Sequence, residues 1–342
     1  MIGMDRQFKL YAFIKEIIKD TFSLSWLLFK VMIPVLIIVK IMQELGFIEY
    51  FSMALEPLMG LIGLPSSMGL VWATTIVTNI YGGMVIFFSM QEPMTVAQVT
   101  VLSALMLLAH GLPIEVRITQ LAGLRVLFVV LLRLIGAFLF AYVLHVIYSS
   151  GSWLQEANTI IFEPQQIDHT WLGWAKNETL NLIKIVGVIF SLVTLLKILR
   201  LIGVERVLIF LLKPVLKRIG IAEEATTITI VGVTLGLTFG GGLLIQEANK
   251  GHVSAKDIFL AMSLLSICHS LIEDTILTSL LGGHISGILF VRLIFSLLVI
   301  WGLACLVKKF QPKTMERWFM KEKKEDSDGL SEPPLIENKQ SI

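Results

Sequence analysis

Charge is what this sequence has least of. Only 16% of its 342 residues are charged, against 55% hydrophobic, and the mean hydropathy is +0.80. A water-soluble domain carries about a quarter charged residues, so a soluble globular chain is excluded. Cysteine is nearly absent too. Cys268 and Cys305 both lie in apolar segments, which gives no basis for a disulfide framework or a thiolate metal site. There is no Gly-x-Ser-x-Gly and no His-Glu-x-x-His, so hydrolase chemistry has no support and an enzyme is not expected. The glycine-rich stretch 236–241 is not followed by Lys-Ser, and a phosphate-binding loop is excluded. No cleavable signal peptide is expected. Residues 1–20 carry Lys9, Lys15, Glu16 and Lys19 among Leu10, Tyr11, Ile14, Ile17 and Ile18, the period of an amphipathic helix lying on a membrane surface. A net charge of +2 gives no reason to expect a nucleic-acid partner.

Long apolar runs are abundant. Leu24–Ile41, Leu124–Ile147, Leu180–Leu199 and Ile285–Val307 are each long enough to cross a bilayer as a helix. The expected fold is all-α: a polytopic membrane protein.

The chain also repeats itself. Ala109-His110-Gly111-Leu112-Pro113-Ile114-Glu115 answers to Cys268-His269-Ser270-Leu271-Ile272-Glu273-Asp274 at an offset of 159. The same offset pairs Thr119 with Thr278, Gly123 with Gly282 and Arg133 with Arg292. Tyr81-Gly82-Gly83 matches Phe239-Gly240-Gly241 at 158, and Gly46, Pro57 and Gly63 match Gly203, Pro214 and Gly220 at 157. Collinear matches predict two membrane units, 21–147 and 178–307. A linker over 148–177 joins them, and a basic helix and disordered tail follow over 308–342.

Short cytoplasmic segments are rich in Lys and Arg. The N-terminal flank holds Arg6, Lys9, Lys15 and Lys19, whereas Glu44, Glu49 and Glu56 follow the first span. The linker holds Glu156, Glu163 and Asp168 against Lys176, and the second unit's matching segment holds Arg200, Arg206, Lys213, Lys217 and Arg218. Lys308, Lys309, Lys313 and Arg317 follow the last span. This pattern predicts a bacterial inner-membrane protein with both termini cytoplasmic, an extracytoplasmic linker and two units of opposite orientation. Inverted repeats are characteristic of secondary transporters. Each unit offers four apolar blocks but must cross an odd number of times, so one block should be a re-entrant hairpin. Blocks 66–90 and 96–122 are both interrupted, and the sequence does not choose between them. Segments 47–63 and 204–220 are amphipathic and are expected to lie on opposite surfaces.

Ionisable groups at membrane depth are costly and mark functional sites. His110, Glu115, His269, Glu273 and Asp274 are the candidates, with Arg133 and Arg292 as charge partners. Structural ion pairing is the competing account. Asn79, Gly82, Gly83, Thr238, Gly240 and Gly241 form a second constellation, where glycine permits either close approach to a ligand or close helix packing. No three or four metal ligands occur at fixed spacing, so no metal or cofactor is expected; a composite site of two His and carboxylates from opposite units is the weaker reading.

The paired Tyr/Phe-Gly-Gly segments and the paired His segments at 109–115 and 268–274 resemble the nucleoside-recognition, or Gate, domain family of bacterial membrane proteins. The resemblance covers nearly all of 24–307 as two Gate units, and spore-maturation membrane proteins are relatives. More distant relatives form part of concentrative nucleoside transporters and of ferrous-iron transporters, but no partner GTPase domain is present here. The resemblance implies transport and a site at the repeat interface. The expected function is secondary transport of a small polar or anionic solute, coupled to protons or another ion. The alternatives are a non-transporting ligand-binding or structural protein, or a lipid translocator. Membrane lipid is the expected environment and a homodimer a possible assembly.

Overall fold

The computed structural model describes residues 2–90, 92–159, 170–309 and 319–320. Among them the regular elements are helical throughout. The chain is an all-α polytopic membrane protein.

Seven helices form the first half: α1 (Ile2–Glu44), α2 (Phe47–Leu61), α3 (Met68–Val77), α4 (Ile80–Met90), α5 (Val96–Leu108), α6 (Leu112–Leu121) and α7 (Val126–Ser150). The second half repeats the order: α8 (Trp171–Leu201), α9 (Val204–Ile219), α10 (Glu223–Leu235), α11 (Leu237–Asn249), α12 (Ala255–Ile267), α13 (Leu271–Leu280) and α14 (Arg292–Lys308), the last preceded by a π-helical turn over Ser286–Val291. Among the described residues four helical stretches are long and apolar enough to cross a membrane: α7, α8, α12–α13 and the turn with α14. The bent pair α5–α6, with 41° between its halves, is a fifth. Helix α1 packs along α8.

Residues 2–20 do not form a separate helix. They are continuous with the first span in α1, which has 43 residues and would be about 64 Å long at 1.5 Å per residue. That is roughly twice the hydrocarbon thickness, so the N-terminal end projects beyond the bilayer. The basic segment 310–318 and the tail from Lys321 lie outside the described residues.

Hydrogen bonds between element ends identify the re-entrant block. Ser67 Oγ, at the start of α3, donates to Glu92 Oε2, just past α4, at 3.1 Å. The pair α3–α4 therefore leaves and returns to one surface. Helix α5 begins at that surface, where Gln98 Nε2 donates to the Gly63 carbonyl at 2.9 Å. The segment after α7 also returns there: Ala97 N–H donates to Leu154 O and Asn158 N–H to Met94 O, both at 2.8 Å. At the other end of α7, Arg125 N–H donates to Phe319 O at 3.0 Å, beyond α14. Thus α5–α6 crosses the membrane antiparallel to α7, with a break in the middle, and α3–α4 turns back. In the second half α10–α11 holds the equivalent place, and its start is tied to that of α12 by Ala222 N–H donating to Asp257 Oδ1 at 2.9 Å.

The halves are related by exchange. Helix α4 packs on α13 and α11 on α6; α7 packs on α12, and the π-turn on α5. Such reciprocity defines a pseudo-two-fold relation. Its direction follows from α1 and α8. Lys197, late in α8, pairs with Glu16 at 3.1 Å and Asp20 at 2.7 Å, early in α1. Lys40, late in α1, lies over the Trp171 ring that opens α8, 5.8 Å from its centroid. The two helices are antiparallel, so the axis relating them is perpendicular to both and lies near the membrane plane.

Candidate functional site

Two of the spans, α5–α6 and α12–α13, break beside the hairpin tips. Gly111 interrupts α5–α6 with φ +55°, and Ser270 interrupts α12–α13 with φ +46°. The left-handed conformation suits Gly111 and strains Ser270. The first break is bolted to its own hairpin tip by Gly111 N–H donating to the Thr75 carbonyl at 3.0 Å. At that tip Asn79 Oδ1 accepts from Gly82 N–H at 3.0 Å, capping α4.

The breaks place four helix N-termini, those of α4, α6, α11 and α13, around one region. Glu115 sits in the first turn of α6, and Glu273 and Asp274 in that of α13. A helix N-terminus stabilises negative charge, which is how three carboxylates are tolerated at this depth. The breaks also free carbonyls at the ends of the preceding helices. Two guanidiniums, both fully buried, take them up: Arg133 Nε donates to Leu108 O at 2.9 Å and Arg292 Nη2 to His269 O at 2.9 Å. Arg133 Nη1 also pairs with Glu115 Oε2, and Arg292 Nη2 lies 3.5 Å from Asp274 Oδ2.

The two histidines meet across the axis, with Nε2 atoms 3.1 Å apart. His110 Nδ1 lies 2.9 Å from Met106 O and His269 Nδ1 2.7 Å from Leu265 O. A carbonyl only accepts, so each Nδ1 carries its proton, and in the neutral ring each Nε2 presents a lone pair. Glu115 Oε1 lies 3.1 Å from His110 Nε2 and 3.2 Å from His269 Nε2.

A cavity of about 280 Å³ opens beside this cluster. It is lined by Asn79, Ile80 and Tyr81 from one hairpin tip, Leu235, Gly236 and Leu237 from the other, and the side chains of the two breaks. Tyr81 Oη donates to Glu273 Oε1 at 3.4 Å across the halves.

The sequence-predicted residues divide accordingly. His110, Glu115, His269, Glu273, Asp274 and Asn79 line the cavity. Arg133 and Arg292 stand behind the carboxylates and do not line it. Gly82, Gly83, Gly240 and Gly241 are packing residues. A Cβ at Gly83 would overlap Thr75 Oγ1, one at Gly240 would overlap the Gly232 backbone, and one at Gly241 would meet Ile118 of the other half at 2.9 Å. The Thr238 side chain lies outside the described residues. Tyr81, Gly236 and Ser270 line the cavity without having been singled out for it. Tyr81 opens the Tyr-Gly-Gly motif, and a phenol within an apolar block is the signal that could have found it. The metal expectation changes too: His110, His269 and Asp274 offer ligand atoms all within 4.8 Å of one another, a grouping that linear spacing cannot display.

Broken spans facing re-entrant tips across a pseudo-two-fold axis are the architecture of an inverted-repeat membrane protein. Among known proteins the chain is similar to the uncharacterized membrane protein YvoD of Bacillus subtilis, at 24% identity over 298 residues, covering 86% of this chain and 95% of that one. No family model matches the chain. No solved structure matches it.

Proposed function

We propose that the protein is a secondary transporter whose solute binds in the cavity between the hairpin tips and the helix breaks. One observation carries the reading: both halves deliver a re-entrant tip and a broken span to the same cavity. Irregular backbone at membrane depth is tolerated where it lines such a cavity, and half-helix ends at the repeat interface are where transporters hold solutes and coupling ions. Movement of one half against the other around the fixed centre would give alternating access. The resemblance to paired Gate units supports this reading. The Lys and Arg distribution supports the bacterial inner membrane with both termini cytoplasmic, and the surface helices α2 and α9 offer faces for a second copy.

The lining narrows the solute. Glu115, Glu273 and Asp274 face the cavity while both guanidiniums stand behind it. That balance favours a cation or a neutral hydrogen-bonding solute over an anion. The test is uptake by proteoliposomes of nucleosides, amino acids, organic anions and divalent ions. One class is expected to accumulate, and Asp274→Asn is expected to bring uptake to the protein-free background while the protein still elutes as a folded species. A wild-type protein that moves none of these solutes, or an Asp274→Asn variant that transports normally, overturns the reading.

A further inference from the structure

The cluster at the axis presents three acceptors to one point. His110 Nε2, His269 Nε2 and Glu115 Oε1 form a triangle with edges of 3.1, 3.1 and 3.2 Å. With both rings neutral, the imidazole protons are committed to backbone carbonyls on the far sides of the rings, and three electron-rich atoms converge with no donor of their own. Such an arrangement is repulsive until something positive joins it.

We infer that this triangle is a binding site for a divalent first-row transition metal ion. The size fits. The three atoms lie about 1.8 Å from their common centre, so an ion slightly out of their plane reaches all of them at about 2.0–2.1 Å, the usual distance for imidazole nitrogen on zinc. Asp274 offers a carboxylate oxygen within 4.8 Å of a ring nitrogen of each histidine. The chemistry fits as well. Two imidazoles with carboxylates select zinc, iron, manganese or cobalt over magnesium or calcium, which prefer oxygen alone.

The surroundings are those of an oriented ligand set. A metal-bound His typically donates its other ring N–H to a carbonyl or carboxylate, and a ligating carboxylate is itself hydrogen-bonded. Here Met106 O and Leu265 O hold the two rings, and Arg133 holds Glu115 by its other oxygen. Each half supplies one His with the same tautomer, so the metal would join the halves at their axis. The cavity gives an ion its path. The proposal deepens the transport reading by naming the class of ion at that site, yet binding can be measured without transport.

The full-length protein in detergent, stripped with chelator, is dialysed against Zn²⁺, Mn²⁺ or Mg²⁺ and its metal content measured. One transition-metal ion per chain is expected, undiminished by a hundredfold excess of Mg²⁺. His110→Gln and His269→Gln are each expected to weaken binding at least tenfold, and the double variant to abolish it. Co²⁺ added to the wild-type protein is expected to give a visible ligand-field spectrum that Zn²⁺ quenches, a readout that needs no variant. No metal above the detergent blank, or unchanged binding by a folded double variant, overturns the site; the positive charge would then be a proton shared by the imidazoles. Metal bound stoichiometrically without uptake of any solute supports the site and defeats transport. Uptake without metal binding does the reverse.

Discussion

The two helix breaks occupy equivalent places but do different work. In the first, Glu115 reaches both histidines, and its second oxygen is held by Arg133. In the second, Asp274 is one methylene shorter and lies 3.5 Å from Arg292. Arg292 leaves Nε and Nη1 without a hydrogen-bond partner, while Arg133 leaves only Nη2. The hairpin tips differ in the same spirit. Tyr81 bonds Glu273, whereas the residues at the corresponding positions are Phe239 and Ile114. Asn79 likewise answers to Leu237. One of two pseudo-equivalent corners has thus become polar and the other apolar. The cavity is accordingly lined by Asn79 and Tyr81 from one tip and by Leu235, Gly236 and Leu237 from the other.

The strongest way to break this comparison is to remove each arginine. Arg133→Met strands Glu115 inside the protein, and loss of one partner from a buried pair costs about 3–5 kcal/mol. Arg292→Met removes a longer, less complete contact, and a smaller loss is expected. Thermal unfolding in detergent of the two variants side by side checks the order, and equal losses would erase the asymmetry. Tyr81→Phe makes the first tip chemically like the second. It removes the 3.4 Å hydrogen bond that holds Glu273 at the cavity wall, a contact worth about 0.5–1.5 kcal/mol, so solute affinity is expected to fall by up to about tenfold with the fold intact. Unchanged affinity in a binding titration would place the solute elsewhere in the cavity. The smallest effect concerns the backbone. Ser270→Gly relieves a left-handed residue and is expected to stabilise by up to about 1 kcal/mol, whereas Gly111→Ala imposes the same strain and is expected to destabilise by a similar amount. Opposite shifts of the melting temperature check the pair.

Much of this architecture could be read from residues alone, for identifiable reasons. Collinear spacing paired His110 with His269, whose rings meet with Nε2 atoms 3.1 Å apart, because an inverted repeat brings equivalent positions together only near its axis. Membrane burial made those charges conspicuous. The re-entrant block was not legible, since 66–90 and 96–122 are both apolar and interrupted. What separates them is where their ends lie, and that depends on Ser67 meeting Glu92 and Gln98 meeting Gly63, contacts with no local signature. The glycines misled in part for a similar reason. A small residue permits a ligand or a helix equally well, and only the position of Thr75, Gly232 and Ile118 decides for packing.

The arginine–carboxylate pairs also bear on how the chain is made. Arg133 and Glu115 are 18 residues apart, as are Arg292 and Asp274, whereas the histidines that meet at the axis are separated by 159. At a synthesis rate of about 5–20 residues per second, the first half waits roughly 10–30 seconds for its counterpart. During that interval its most deeply buried charges are already neutralised from within. Arg133 and Arg292 can therefore pair within their own halves before the halves meet, and what joins the halves afterwards is the contact of the two imidazoles and that of Tyr81 with Glu273.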